Sequence, residues 1–350
     1  MKSGQARFVT ISPYSLLSGT DAVSAGDAAK EIERTLKRAA QAGATGVAWQ
    51  AAACGKALYQ TKVATALSGD RRLRGRRLEA MLNEIDFLEA AIAAARAERL
   101  EFAVVSRPFD DYLPGLGSEF ERRHQQFLWE SRDGEIRLRG VLCLAYDEVL
   151  KYRLEIIEEL ARYGADAVVV DLETSAACMT PFRRRDFFGF NAPIGDEHAR
   201  RFGEDIRAFD DVEYRRGSDL QIVDAVYRGG EFNREGWHGI KGEYFARFFE
   251  QASGIVKAAG KRFAFSRGRE EGILPMARFA VPADRWLADG VVDDLFLPRG
   301  AGEDRDIAAY AAAKKPSQRI ITPRGWDEID GWIASLRDVL HMPATPDANA

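Results

Sequence analysis

The feature that most constrains this chain is a rhythm. Short runs of apolar, often β-branched residues alternate along its length with longer amphipathic segments. The clearest run is Ala167–Leu172, between Gly164 and the acids that follow. A run this short, bounded by glycine and polar residues, reads as a strand buried on both faces. Similar runs stand at 7–11, 46–50, 102–105, 262–266, 292–297 and 319–322. Helical periodicity fills the intervals at 27–42, 76–99, 147–163, 240–259, 282–289, 304–314 and 326–340. Strand-then-helix repetition of this kind forms a parallel sheet covered by helices.

Seven such units in a chain of 350 residues point to an α/β fold, a (β/α)8-type TIM barrel. The eighth strand is not evident: either it lies within 113–146 or the barrel is incomplete. A single domain is expected over 1–340, with a flexible tail over 341–350. The rhythm breaks once. Between about 174 and 239 no strand is evident, and an insertion of that length reads as a lid or binding loop after strand four. It is rich in aromatics, among them Phe187, Phe190, Tyr227, Phe232 and Trp237. Some form its own core; others suit stacking on the C–H face of a sugar. The alternative is an open doubly wound sheet, but no Gly-rich dinucleotide loop follows a strand.

Composition narrows the function. Fifty basic against 54 acidic residues give a net charge of −4, no case for nucleic acid. Cysteines 54, 143 and 178 and histidines 124, 198, 238 and 341 lack the spacing of a disulfide framework or a metal site. No cofactor is called for. No apolar run approaches a membrane span, and the N-terminal residues lack a signal peptide's apolar core, which fits a cytoplasmic protein.

The chemistry concentrates at the carboxyl ends of the strands, where barrels place their sites. Alternation sends Val169, Asp171 and Glu173 to one side and Val168, Val170 and Leu172 to the other. Two acids thus sit together at the end of strand four, a candidate for general acid/base work. A second carboxylate across the cleft would come from Asp110, Asp111, Glu231 or Glu270. Four strand ends carry arginine in similar settings: Arg107 after Ser106, Arg267 after Ser266, Arg299 after Pro298 and Arg324 after Pro323. They read either as partners of rim acids or as a rim that holds an anionic, acidic sugar.

Two resemblances follow from these residues. Asp166 to Glu173 resembles the fourth-strand D-G-x-D-x-D-x-E motif of the chitinase-type glycoside hydrolases of family 18, with Ala167 for its Gly and Val169 for its middle Asp. That resemblance implies Glu173 as the general acid and Asp171 as the residue that orients it. The second is broader, over roughly 45–300, and carried by Trp49 with Gly55-Lys56-Ala57-Leu58-Tyr59, by Leu144-Ala145-Tyr146-Asp147-Glu148, and by Gly189-Phe190-Asn191-Ala192-Pro193. These segments resemble the bacterial family 10-like glycosyl-hydrolase-like barrels, which implies a TIM barrel with a sugar-related role. On this reading the chain is a glycoside hydrolase acting on an oligo- or polysaccharide. Glu173 and Asp171 are catalytic, and Trp49, Lys56, Tyr59, Arg107, Asp110, Tyr146, Trp237, Arg267, Arg299 and Arg324 bind substrate. The alternatives are a non-catalytic carbohydrate-binding barrel and a lyase or isomerase on acidic sugars.

Overall fold

The computed structural model describes residues 7–18, 22, 24–68, 73–113, 116–174, 186–217, 220, 222–266, 278–297, 304–321 and 324–325, although for 73–75, 304–307, 309 and 324–325 it describes the backbone alone. One curled sheet organises them. Its strands are β1 (Phe8–Ile11), β2 (Gly46–Gln50), β3 (Glu101–Ser106), β4 (Ala167–Asp171), β5 (Arg262–Ser266), β6 (Asp294–Phe296), β7 (Arg319–Ile321) and β8 (Arg324–Gly325). The order is β7-β6-β5-β4-β3-β2-β1-β8, and every pairing is parallel. Only Thr322 and Pro323 separate β7 from β8. One line of chain therefore pairs with β6 at its start and with β1 at its end. The sheet has seven strand positions, and its seventh meets its first.

The inner face identifies it as a barrel. Phe8, Ala48, Ala103, Val105, Ala167, Val169, Ala264, Phe296 and Ile321 form one buried cluster to which all seven positions contribute. Four of the nine are alanines, and two phenylalanines meet edge to face at 5.3 Å across the space they leave. Small and large residues must alternate for the layers to interlock. Gly46 shows how tightly: a Cβ there would lie 2.5 Å from the Phe8 ring. The opposite faces of the strands, with Val47, Trp49, Val104, Val168, Val170, Phe263 and Leu295, join the main core beneath the helices.

Below the apolar layer the barrel is floored by charge. Arg262 and Arg319 each hold Asp294 through Nε and Nη2, at 2.5–2.8 Å. Arg319 also grips Glu101 on β3 with two hydrogen bonds of 2.7 and 2.6 Å. Burial alone would raise the Asp294 carboxyl, but the two guanidiniums outweigh it and hold it below the usual carboxylate range.

The elements follow the expected alternation, with two departures, a helix that is divided and an insertion that carries strands. The segment read as one helix from 76 to 99 is two, α2 (Leu73–Glu84) and α3 (Phe87–Ala97), after α1 (Ala25–Gln41). Asp86 makes the break: its carboxylate accepts from the N–H groups of Leu88 and Glu89, an N-cap that starts a new helix. The region 113–146 contributes no strand to the sheet among its described residues; Leu128–Glu130 and Arg137–Leu142 form a separate antiparallel pair. The insertion has strands after all. Asp211–Arg216 and Ile222–Arg228 form a hairpin standing on the protein, most of it partly or fully exposed. Around it lie α5 (Ala192–Phe202) and α6 (Arg234–Ala258), which follow α4 (Asp147–Arg162). The expected helix at 326–340 and the tail lie outside the described residues.

Candidate functional site

Arg107, one residue beyond β3, organises the carboxyl end of the barrel. Its Nε donates to Asp171 Oδ2 at 2.9 Å and its Nη2 to Glu173 Oε2 at 2.6 Å. The local fold produces this bridge directly. Asp171 shares the inward parity of Val169, and β3 neighbours β4, so the arginine after β3 reaches both acids after β4. The backbone N–H of Glu173 also points to Asp171 Oδ1 at 3.4 Å. Side-chain exposure falls from 29% at Glu173 to 11% at Arg107 and 8% at Asp171. Glu173 is thus the accessible member of a largely buried triad. Burial works against the Arg107 charge, but Glu173, Asp171 and Asp110 more than compensate and raise it above its ordinary value.

Asp110 stands behind this triad, buried, with the Cys54 N–H directed at its Oδ2 at 3.4 Å. Asp111 turns away: it pairs with Arg153, and both are buried. Desolvation brings the Arg153 guanidinium down to about 9. Asp111 therefore serves the packing behind the rim and does not face the mouth. Glu231 is exposed on the insertion, near Arg132.

The structure separates the other sequence candidates. Trp49 is fully buried on the outer face of β2, packed toward Phe102, and does not face the mouth. Tyr59 is also buried; its hydroxyl donates to Glu159, which also accepts from the Thr61 hydroxyl and the Lys62 N–H. Burial and then Glu159 push that phenol well above its usual value. It ties the loop after β2 to α4. Lys56 lies on a two-residue strand of that loop, partly exposed. Tyr146 precedes α4, half-buried, its ring 4.6 Å from that of Phe127. Trp237 is buried in the insertion, donating from Nε1 to the Gly189 carbonyl at 2.8 Å. It borders a cavity of about 240 Å3 with Arg132, Asp186, Phe190, Tyr227 and Phe232 among its walls. Arg267, Arg299 and Glu270 lie outside the described residues. Arg324 is described only as a backbone position paired with Val9.

Gln50, which with Trp49 ends strand two in the sequence, stands on the inner face. Gln50 ends β2 with the inward parity of Ala48 and opposite Val105, both inner-layer residues. It is 4% exposed, and its Nε2 has no hydrogen-bond partner among the described residues. The parity argument that placed Asp171 puts Gln50 inward and turns Trp49 outward. Among the described residues no group of three or more His, Cys, Asp or Glu side chains is placed to hold a metal, and no helix is long and apolar enough to cross a membrane.

No protein-family model and no curated protein matches the sequence. Solved structures do. The catalytic domain of a β-amylase from Paenibacillus polymyxa matches with a TM-score of 0.48 at 10% identity, over 95% of this chain and 90% of that one. A GH20 exo-β-N-acetylglucosaminidase from Vibrio harveyi matches with a TM-score of 0.42 at 10% identity, over 84% of this chain and 41% of that one. A GH20 β-N-acetylhexosaminidase from Streptomyces coelicolor gives 0.42 at 10% identity, over 93% and 49%. The chain spans less than half the length of these two GH20 enzymes.

Proposed function

We propose that this chain is a glycoside hydrolase that receives an oligo- or polysaccharide across the carboxyl-terminal mouth of its barrel, with Glu173 the carboxylate that meets the glycosidic bond. The observation that carries the reading is the graded triad. An accessible carboxylate, a buried carboxylate beneath it and a guanidinium bridging both stand where parallel barrels do chemistry. A guanidinium within hydrogen-bond distance favours an ionised carboxylate. Glu173 so held is suited to take a proton from water or to face the positive charge that develops on the sugar. To give a proton to the leaving oxygen it must first exchange Arg107 for substrate. Asp171 and Arg107 fix the Glu173 side chain, and Asp110 supports the arginine from behind.

Glu173→Gln keeps the size and removes the titrating oxygen. Screened on oligosaccharides and aryl glycosides that the parent hydrolyses, it should lose at least about 100-fold in kcat, the scale of a general acid/base contribution. Undiminished turnover would remove Glu173 from the reaction.

One observation favours a second reading. Arg107 takes up both acids, as in a structural ion-pair cluster, which suits a barrel that binds sugar without cleaving it. A glycan array showing retention, with no reducing sugar released from the same glycan, would decide for that reading.

A further inference from the structure

We infer that the open cavity in the insertion seats one ring of an acidic sugar, a uronate, with its carboxylate on Arg132 and Arg234. The inference rests on the carbohydrate reading above for the kind of ring, and adds to it a second seat and a charge.

Arg132 is a buried cation without an anion. It stands in the turn between Leu128–Glu130 and Arg137–Leu142 and is 8% exposed. Its Nε donates to the Ile206 carbonyl at 2.8 Å, and its Nη2 to the carbonyls of Ala208 and Gly230. These bonds pin the base of the 211–228 hairpin, but carbonyls do not neutralise a guanidinium. Among the described residues no carboxylate lies within ion-pair distance of it, although buried arginines are ordinarily paired. Burial lowers its pKa; Glu231 opposes that and Arg234 adds to it, and the group ends below its ordinary value. Nη1 is the uncommitted arm. It makes no hydrogen bond among the described residues and, unlike the Nε atoms of Arg153 and Arg247, is not sealed from water.

The cavity gives that arm something to meet. Arg132 lines it together with Arg234, and its volume is about 240 Å3. Both guanidinium carbons lie by the Phe232 ring, 5.1 and 5.8 Å from its centre. Arg234 is exposed and makes no ion pair among the described residues, while Phe190 and Trp237 on the same walls are buried. At about 30 Å3 for each water, the space equals about eight waters. It falls below the roughly 300–1,000 Å3 of pockets for larger ligands. One ring fits, and a chain does not. Since α6 ends just before β5 begins, its first turn, with Trp237, stands on the Glu173 side of the barrel.

The walls select among rings. A carboxylate answers two guanidiniums that lack an anion of their own. Asp186, also on the wall, has His238 Nε2 3.0 Å from its Oδ1. Burial opposes its charge, but His238 keeps its carboxyl below the usual range, so it accepts and does not donate. Sugar hydroxyls donate to such an oxygen, whereas a plain aromatic acid has none to offer. Phe232 and its neighbours suit the C–H face of a sugar. A uronate supplies all three: a carboxylate, hydroxyls and an apolar face.

The test compares the parent with Arg132→Gln and Arg234→Gln. D-Glucuronate and D-galacturonate are the acidic probes, D-glucose and D-galactose their neutral counterparts, and sulfate and benzoate the anions without a sugar ring. Binding is read by calorimetry, and the fold by thermal scans without ligand. The parent should bind one of the uronates at least about tenfold more tightly than its neutral counterpart, the worth of a charge-assisted hydrogen bond. Arg132→Gln should abolish that binding, but it also gives up contacts to three carbonyls. Arg234→Gln disturbs no hydrogen bond or ion pair among the described residues and therefore carries the decision. It should keep the parent's melting temperature and bind the uronate about two- to fivefold more weakly, as for an exposed ion pair. Equal affinity for uronate and neutral sugar, or an undiminished Arg234→Gln, overturns the inference. So does tighter binding of sulfate or benzoate than of either uronate. In each case the carbohydrate reading survives. If the parent binds none of the six probes, the inference falls, and the carbohydrate reading falls with it only if the glycan array also shows no retention.

Discussion

Asp294 offers the sharpest test of how the barrel is held. Its side chain is 1% exposed and accepts four hydrogen bonds from Arg262 and Arg319, which are 34% and 31% exposed. Asp294→Asn keeps the shape but turns an NH2 toward two guanidiniums and removes the charge that opposes them. Removing one member of a buried ion cluster costs about 3–5 kcal/mol. Here the lower end applies. Both arginines reach solvent, Arg319 keeps Glu101, and Arg262 keeps the carbonyls of Asp293 and Ser317. A loss of about 3 kcal/mol should lower the melting temperature by roughly 4 °C in a chain of this size. The pH dependence supplies a second arm. The Asp294 carboxyl is held below its ordinary value, so its contribution is complete above the unfolded carboxylate range near 4. It is lost as the pH falls from there through the depressed folded value. Parent and variant should therefore differ most at neutral pH and converge in acid. Thermal scans from pH 7 to 3 measure both arms. A shift below about 1 °C at pH 7, or a gap that widens in acid, would refute the view that this network fastens the floor.

Two further expectations concern the Arg107 bridge and the cap of α3. Arg107→Lys keeps the charge, but a single ammonium cannot hold Asp171 and Glu173 in the same forked geometry. It should cost about 2 kcal/mol in urea unfolding and lower kcat/KM on any hydrolysed glycoside at least about tenfold. Asp86→Ala removes the cap of α3 together with acceptors for the Gln60 N–H and the Tyr163 hydroxyl. It should destabilise by about 2 kcal/mol in the same assay and leave sugar binding intact.

Much of the barrel was legible because its strands are apolar on both faces. Val168–Val170 and Phe263–Phe265 could only be central strands, and the helices between them carry apolar stripes. The hairpin at 211–228 escaped because its signal is shorter and mixed. Val212, Tyr214, Ala225 and Tyr227 share the face that packs against the core, while Asp211, Glu213, Arg215, Asp224 and Arg228 alternate with them on the other. The break at Asp86 was visible as a capping residue before an apolar run, but the stripe running through it hid the signal. At the site, Asp171 and Glu173 followed from strand parity. Trp49 and Tyr59 came from the resemblance over 45–300 instead, and aromatic rings serve packing as readily as sugar stacking. The bridge through Arg107 needs the knowledge that β3 and β4 are neighbours, which periodicity does not contain.

The pairing of Arg324–Gly325 with β1 has a consequence for how the molecule is made. Until that stretch emerges from the ribosome, β1 has a partner on one edge only. At about 5–20 residues per second, the wait after β2 is complete is on the order of tens of seconds. Through that interval the nascent sheet exposes the Val9–Thr10 edge, a template for pairing with another chain. Closure then joins residues more than 300 positions apart, so the last contact is also among the least local, and slow steps in biogenesis should gather at this seam.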